Sequence, residues 1–151
     1  MNSLKSILLA EDDLKDVKLT LAALEEHNLA NEVIVARDGV EALDYLLRRG
    51  VHASREPGNP VVVLLDLKMP RVDGIEVLKE IRASEELKSI PVVILTSSRE
   101  SRDLAECYKI GVNAYVVKPV QFTDFVEAVK ELGIFWAVIN EPPPGSIRRK
   151  A

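Results

Sequence analysis

Asp66 ends the apolar run Val61-Val62-Val63-Leu64-Leu65 and stands immediately before Leu67-Lys68-Met69-Pro70. It has counterparts elsewhere. Glu11, Asp12 and Asp13 follow Ile7-Leu8-Leu9-Ala10, Thr96 follows Val92-Val93-Ile94-Leu95, and Lys118 follows Ala114-Tyr115-Val116-Val117. An aspartate can attack phosphorus and form a mixed acyl phosphate. Nucleophile and phosphoryl group are both anionic, so the chemistry needs a hard cation, and Mg²⁺ takes carboxylates together with water and phosphate oxygens. A lysine can neutralise a second phosphoryl oxygen and a hydroxyl can donate to a third. Each residue also has a plainer reading on its own. An acid or a threonine after a strand caps a helix or a turn, and a lysine before proline sits on the surface. Four such groups at the ends of four apolar runs argue against coincidence.

The runs that carry these residues read as buried parallel strands, apolar on both faces and rich in β-branched residues. Strands are expected at about 6–10, 32–36, 61–66, 92–96 and 113–117. Helical stripes alternate with them: Leu14, Val17, Leu21 and Leu24; Val40, Leu43, Leu46 and Leu47; Ile75, Leu78 and Ile81; Leu104, Cys107, Tyr108 and Ile110; Phe122, Phe125, Val126, Val129 and Leu132. Repeated strand-then-helix units imply right-handed crossovers and an α/β fold with a parallel sheet covered on both faces. Ligands of such sheets bind at the carboxyl ends of the strands, where the polar residues above fall. Asp38-Gly39 and Asp73-Gly74 mark strand-to-helix turns, and the loop from Gly50 to Pro60 reads as mobile.

With 151 residues the chain is sized for one domain, and 47% hydrophobic with 29% charged residues fits a globule with a sizeable core. A net charge of −4 argues against a nucleic-acid binder. The single cysteine, Cys107, excludes an internal disulfide and a multi-cysteine metal site. No apolar stretch is long enough to span a bilayer, and Met1-Asn2-Ser3-Leu4-Lys5 lacks a signal-peptide core, so a cytoplasmic location is expected.

Several segments are similar to two-component response-regulator receiver domains. They are Ile7-Leu8-Leu9-Ala10-Glu11-Asp12-Asp13, Leu64-Leu65-Asp66-Leu67-Lys68-Met69-Pro70-Arg71-Val72-Asp73-Gly74, Ile94-Leu95-Thr96-Ser97 and Tyr115-Val116-Val117-Lys118-Pro119. The resemblance covers roughly residues 5–140. It implies a flavodoxin-like, doubly wound (βα)5 fold with five parallel strands in the order 2-1-3-4-5. It also implies that Asp66 is the phosphoacceptor. Mg²⁺ would be held by Asp12 directly, by Glu11 through water, by Asp66 and by the main-chain carbonyl of Lys68. Thr96 matches the switch hydroxyl, Lys118 the phosphoryl-binding lysine and Tyr115 the switch aromatic; Asp13 then reads as a cap. The Lys118–Pro119 peptide is expected to be cis. The side chains of Lys68 and Ser98 occupy positions that vary within the family and could set the phosphoryl lifetime. The chain would catalyse only its own phosphorylation and dephosphorylation.

The domain is expected to run over 1–141, with 142–151 a disordered proline-rich and basic tail. Phe135, Trp136, Val138 and Ile139 extend the last helix in apolar form, either packing within the chain or forming a homodimer contact. Phe135-Trp136-Ala137-Val138-Ile139-Asn140-Glu141-Pro142-Pro143 resembles the ends of single-domain regulators paired with phytochromes. The implied partners are a sensor histidine kinase, of phytochrome type, and a histidine phosphotransfer protein downstream. His27 and His52 read as surface residues rather than phosphate carriers. A phosphatase of the haloacid-dehalogenase type would need an aspartate where Lys68 stands. A dinucleotide-binding domain would need Gly-x-Gly-x-x-Gly where Glu11-Asp12-Asp13 stands. A phosphorylation-independent pseudo-receiver, a binding module only, stays as the alternative.

Overall fold

The computed structural model describes residues 3–26, 32–119, 121–146 and 148–150. Five parallel strands alternate with five helices: β1 (Ser3–Ala10), α1 (Leu14–Glu26), β2 (Glu32–Ala36), α2 (Gly39–Leu47), β3 (Val62–Leu65), α3 (Gly74–Ala83), β4 (Val92–Thr96), α4 (Ser101–Ile110), β5 (Ala114–Val117) and α5 (Phe122–Gly133). The strand order is β2-β1-β3-β4-β5, as the resemblance to receiver domains implies. Alternation along each strand sorts the core into two layers. Leu8, Val63, Leu65, Val92 and Ile94 face α2, α3 and α4, whereas Ile7, Leu9, Val62, Leu64, Val93 and Leu95 face α1 and α5. Parallel strands buried on both sides account for the unbroken apolar runs.

The helical stripes hold less uniformly. Val17 and Leu24 are buried on α1, but Leu14, in the first turn beside the strand ends, is 50% exposed. On α4 Cys107 is fully buried, while Leu104 and Tyr108 point outward. Spacing alone does not separate a core stripe from a flanking one, because a helix covering a sheet edge buries a narrower face.

The two Asp-Gly pairs do more than turn the chain. Asp38 and Asp73 cap α2 and α3, accepting from the backbone N–H of Glu41 and Glu76. Each following glycine lies against the β3–α3 loop. A Cβ on Gly39 would fall 1.9 Å from the carbonyl oxygen of Val72, and one on Gly74 would fall 2.2 Å from that of Asp66. Arg71, in a left-handed conformation, adds an ion pair to Asp38 at 2.7 Å. The loop that follows Asp66 is therefore packed backbone-to-backbone against two helix starts.

The Gly50–Pro60 segment, expected to be mobile, is tied down. It contains a short 3-10 helix, Gly50–His52. The Arg55 guanidinium stacks on Tyr45 at 4.2 Å and donates to the carbonyls of Tyr45, Glu56 and Gly58. Arginine can serve several carbonyls at once, which turn-residue composition does not reveal. Beyond α5 the chain continues as a π-helix, Ile134–Ile139, and then a short strand, β6 (Arg148–Lys150), lies antiparallel to Ser3–Lys5. The expectation of disorder at 142–151 differs from this pairing. β1 outruns its parallel neighbours, which begin at Ser6 and Ile7, and its free backbone groups accept another strand.

Gly74→Ala should destabilise the fold by about 1–3 kcal/mol, because the added methyl meets backbone rather than a side chain that can yield. The urea midpoint measures this, and an unchanged midpoint would show that the loop after Asp66 gives way freely. Burial, with Asp103 and Glu106 nearby, pushes the Cys107 thiol up to about 11. A thiol reagent at mildly alkaline pH should therefore label Cys107 only after unfolding. Rapid labelling of the native protein would mean that α4 opens.

Candidate functional site

Backbone hydrogen bonds continue the sheet one residue past its strands and fix the site residues side by side. Glu11 N–H donates to Ala36 O at 2.9 Å, Asp66 N–H to Ala10 O at 3.0 Å, and Lys118 N–H to Thr96 O at 2.7 Å. Where these residues stand is thus set by sheet register.

The side chains converge. Lys118 Nζ donates to Glu11 Oε1 at 2.5 Å, Asp16 Oδ2 at 2.8 Å and Asp66 Oδ2 at 3.1 Å. Lys118, Glu11 and Asp66 are nearly enclosed, with side-chain exposures of 9%, 4% and 8%. One carboxylate oxygen each from Glu11, Asp12 and Asp66 lie within 4.8 Å of one another. Burial pushes the Glu11 carboxyl up to about 7; the Asp66 charge adds to this, while Lys118 and the Asp13 N–H hold it back. Burial opposes the charged form of Lys118, but its bonds to Asp16 and Glu11 and the Asp66 charge outweigh that and raise its pKa. The ammonium is outnumbered by carboxylates, and the surplus oxygens converge on one point. Hard oxygen donors with excess negative charge fit a divalent cation such as Mg²⁺ or Mn²⁺.

The remaining expected residues divide. Asp13 is a cap: its Oδ1 accepts from the N–H of Lys15 and Asp16. Lys68 N–H donates to Asp66 Oδ1 at 3.3 Å, which puts the Lys68 peptide beside the carboxylate while its side chain is exposed. Thr96 is fully buried at the end of β4, and its hydroxyl accepts from Ser98 N–H at 3.3 Å. Ser98 Oγ donates to Asp103 on α4, and the Tyr115 hydroxyl donates to Ser98 O at 3.1 Å. Ser98 therefore joins the hydroxyl, the aromatic residue and α4.

The Lys118–Pro119 peptide is not cis; among the described residues there is no cis peptide. The Thr96 carbonyl and the three carboxylates are reached from the ordinary trans isomer, which is favoured by about 0.5–1 kcal/mol before proline. Asp16 was not anticipated. An acid in the first turn of a helix reads as a residue that complements the helix dipole. Helical side chains lean toward the N-terminus, however, so this one reaches back over the strand ends.

Phe135 and Trp136 lie away from this cluster. They stack edge to face at 5.0 Å and line a groove of about 510 Å³ with Asn113, Val116, Ala128 and Leu132. Trp136 packs on the α1/α5 core layer, while Phe135 is 47% exposed. The side chains of Val138 and Ile139, like His27, lie outside the described residues. His52 packs edge-on against Tyr45 at 5.2 Å.

Comparison with known proteins identifies the family and the fold. The response regulator receiver domain family matches residues 7–130. Response regulator Rcp1 of Synechocystis sp. is 37% identical over 135 residues, covering 89% of this chain and 90% of the relative. Its Mn²⁺-bound form has been solved and superposes with a TM-score of 0.87 at 92% and 99% coverage. The bacteriophytochrome response regulator RtBRR is 64% identical, with a TM-score of 0.74 and coverage of 95% of this chain and 86% of that one. The phosphorylated cyanobacterial phytochrome response regulator RcpA is 37% identical, with a TM-score of 0.87 and coverage of 93% and 99%. Among the described residues no helix is long and apolar enough to cross a membrane. A doubly wound sheet, an acid cluster with a lysine at its strand ends and a family match over most of the chain lead to one conclusion: this protein belongs to the response regulator receiver domain family of two-component signalling.

Proposed function

We propose that Asp66 accepts a phosphoryl group from the phosphohistidine of a sensor kinase and that the chain signals by the change this causes. The observation that supports this most directly is the enclosed cluster of Glu11, Asp66 and Lys118, with Asp12 completing a set of cation ligands. An oxygen of the Asp66 carboxylate attacks phosphorus, the P–N bond breaks, and the imidazole leaves with the bonding pair. Lys118 passes a proton donor from Asp66 Oδ2 to the incoming phosphoryl oxygen, and Thr96 offers its hydroxyl to another. Glu11, Asp12, Asp66 and the Lys68 carbonyl would hold Mg²⁺, which screens the repulsion between the two anions.

In this reading Thr96 moves toward the acyl phosphate, Tyr115 follows, and Ser98 hands the change to α4. Lys68 and Ser98 set the phosphoryl lifetime. The kinase is of phytochrome type, which the names of RtBRR and RcpA support. The protein works in the cytoplasm, touches neither nucleic acid nor membrane, and passes its signal on by binding or by transfer to a histidine phosphotransfer protein. The chain pairs with a second copy over the Phe135–Trp136 groove, a reading supported by the exposure of Phe135 beside that groove.

Incubation with acetyl phosphate and Mg²⁺ should add one phosphoryl group to the wild type and none to Asp66→Asn, read by intact mass. Chelating the metal should abolish the adduct. A folded wild type that takes no phosphoryl group from acetyl phosphate or from any tested kinase would favour the binding-only alternative. For the dimer, sedimentation at micromolar concentration should give two copies per particle in the wild type and one in Phe135→Asp. A monomeric wild type would refute that interface.

A further inference from the structure

Asp16 is the one partner of Lys118 with no other task in the reading above. Glu11 and Asp66 are both needed for the cation, and Asp66 Oδ2 loses its place on the ammonium when it carries a phosphoryl group. Asp16 Oδ2 stays at 2.8 Å from Lys118 Nζ and is not among the carboxylates that converge as cation ligands. It is also well held. Its backbone N–H donates to Asp13 Oδ1, and its carbonyl accepts from Thr20 Oγ1 at 2.7 Å, Thr20 being 1% exposed. The first turn of α1 is thus braced from both ends, and the carboxylate is fixed over the strand ends.

A lysine side chain has four rotatable carbons and three donors on a rotating ammonium. Two anchors, Glu11 and Asp16, fix the direction of the third donor, which faces Asp66. One anchor alone would leave the ammonium free to swing.

We propose that Asp16 is a positioning residue for Lys118, holding the ammonium so that one donor faces the Asp66 carboxylate before transfer and the phosphoryl group on it afterwards. This rests on the phosphoacceptor reading of Asp66. Misplacement of a catalytic group by about 1 Å costs as much as a hundredfold in rate. Asp16→Ala, which removes one of two anchors, should slow phosphorylation by acetyl phosphate about tenfold. Asp16→Asn keeps an acceptor oxygen and should recover part of the loss. The urea midpoint of each variant checks that the fold is intact.

A double-mutant cycle separates positioning from a general effect. In a Lys118→Ala background, Asp16→Ala should slow the reaction no further. Equal slowing with and without the lysine would overturn the proposal, as would a wild-type rate for Asp16→Ala. A second readout does not depend on phosphorylation. The ¹⁵Nζ order parameter of Lys118 should be high in the wild type and fall in Asp16→Ala. If the wild type takes no phosphoryl group, the acceptor reading fails while this measurement still decides the tether. An order parameter that does not change would overturn it.

Discussion

An ammonium enclosed among carboxylates is the constraint around which the strand ends are arranged. None of its members is stable alone in that place. Desolvating an ion costs several kcal/mol, and stripping a buried charge of its partner costs about 3–5 kcal/mol. Lys118 meets three carboxylates, and Glu11 is pushed up to about 7 by burial, with the Asp66 charge adding to it, in spite of the lysine. Four carboxylates, those of Glu11, Asp12, Asp16 and Asp66, stand around one ammonium, so the lysine alone does not balance their charge. That surplus of hard oxygen donors suits a cation, which an ion pair that only staples β5 to β1 and β3 would not need.

The fold explains which residue type each strand must bring. In the order β2-β1-β3-β4-β5 the chain reverses direction across the sheet between β1 and β3, which is where such sheets open a crevice. Short acids follow those two adjacent strands and can meet directly. β5 lies two strands from β3, a separation of about 10 Å. Only a long side chain spans that distance, so the cation is a lysine. β4 lies between, and a short hydroxyl suffices there. Acid, hydroxyl and lysine thus follow from distance across the sheet.

Most of this was legible because buried parallel strands announce themselves as apolar runs, and their ends are then known to within a residue. The acids, Thr96 and Lys118 stood out against those runs. What escaped was carried by side chains that act at a distance from their own segment. Asp16 has the pattern of an ordinary first-turn acid, and only its side-chain contact with Lys118 at 2.8 Å shows that it belongs to the cluster. Arg55 gave no sign that it would pin a loop rich in turn residues by stacking on Tyr45. Leu14 and Leu104 keep helical spacing yet point to solvent, since periodicity defines a face and not what covers it. The pairing of Arg148–Lys150 with β1 depends on how far β1 outruns its neighbours, a property of register that no local pattern encodes.

The proposed signal needs an element that moves cheaply, and α4 has that character. Cys107 is its one fully buried apolar side chain, and Leu104 and Tyr108 face outward. Its first turn is tied to β4 through Asp103 and Ser98 Oγ rather than through a packed side chain. The same serine accepts from Tyr115 and donates its backbone N–H to Thr96. A hydroxyl that turns toward a phosphoryl group must give up or bend its bond to Ser98. The disturbance then reaches the tyrosine and α4 through hydrogen bonds, each worth only about 1 kcal/mol net. Moving an equilibrium from one conformer to the other takes about 5.5 kcal/mol. That is within reach where the ties are three polar bonds, and out of reach where the helix is packed as tightly as α3, with Val77, Leu78 and Ile81 fully buried. The asymmetry between a firmly packed α3 and a lightly anchored α4 is what would give the response its direction, toward the face that ends in β5.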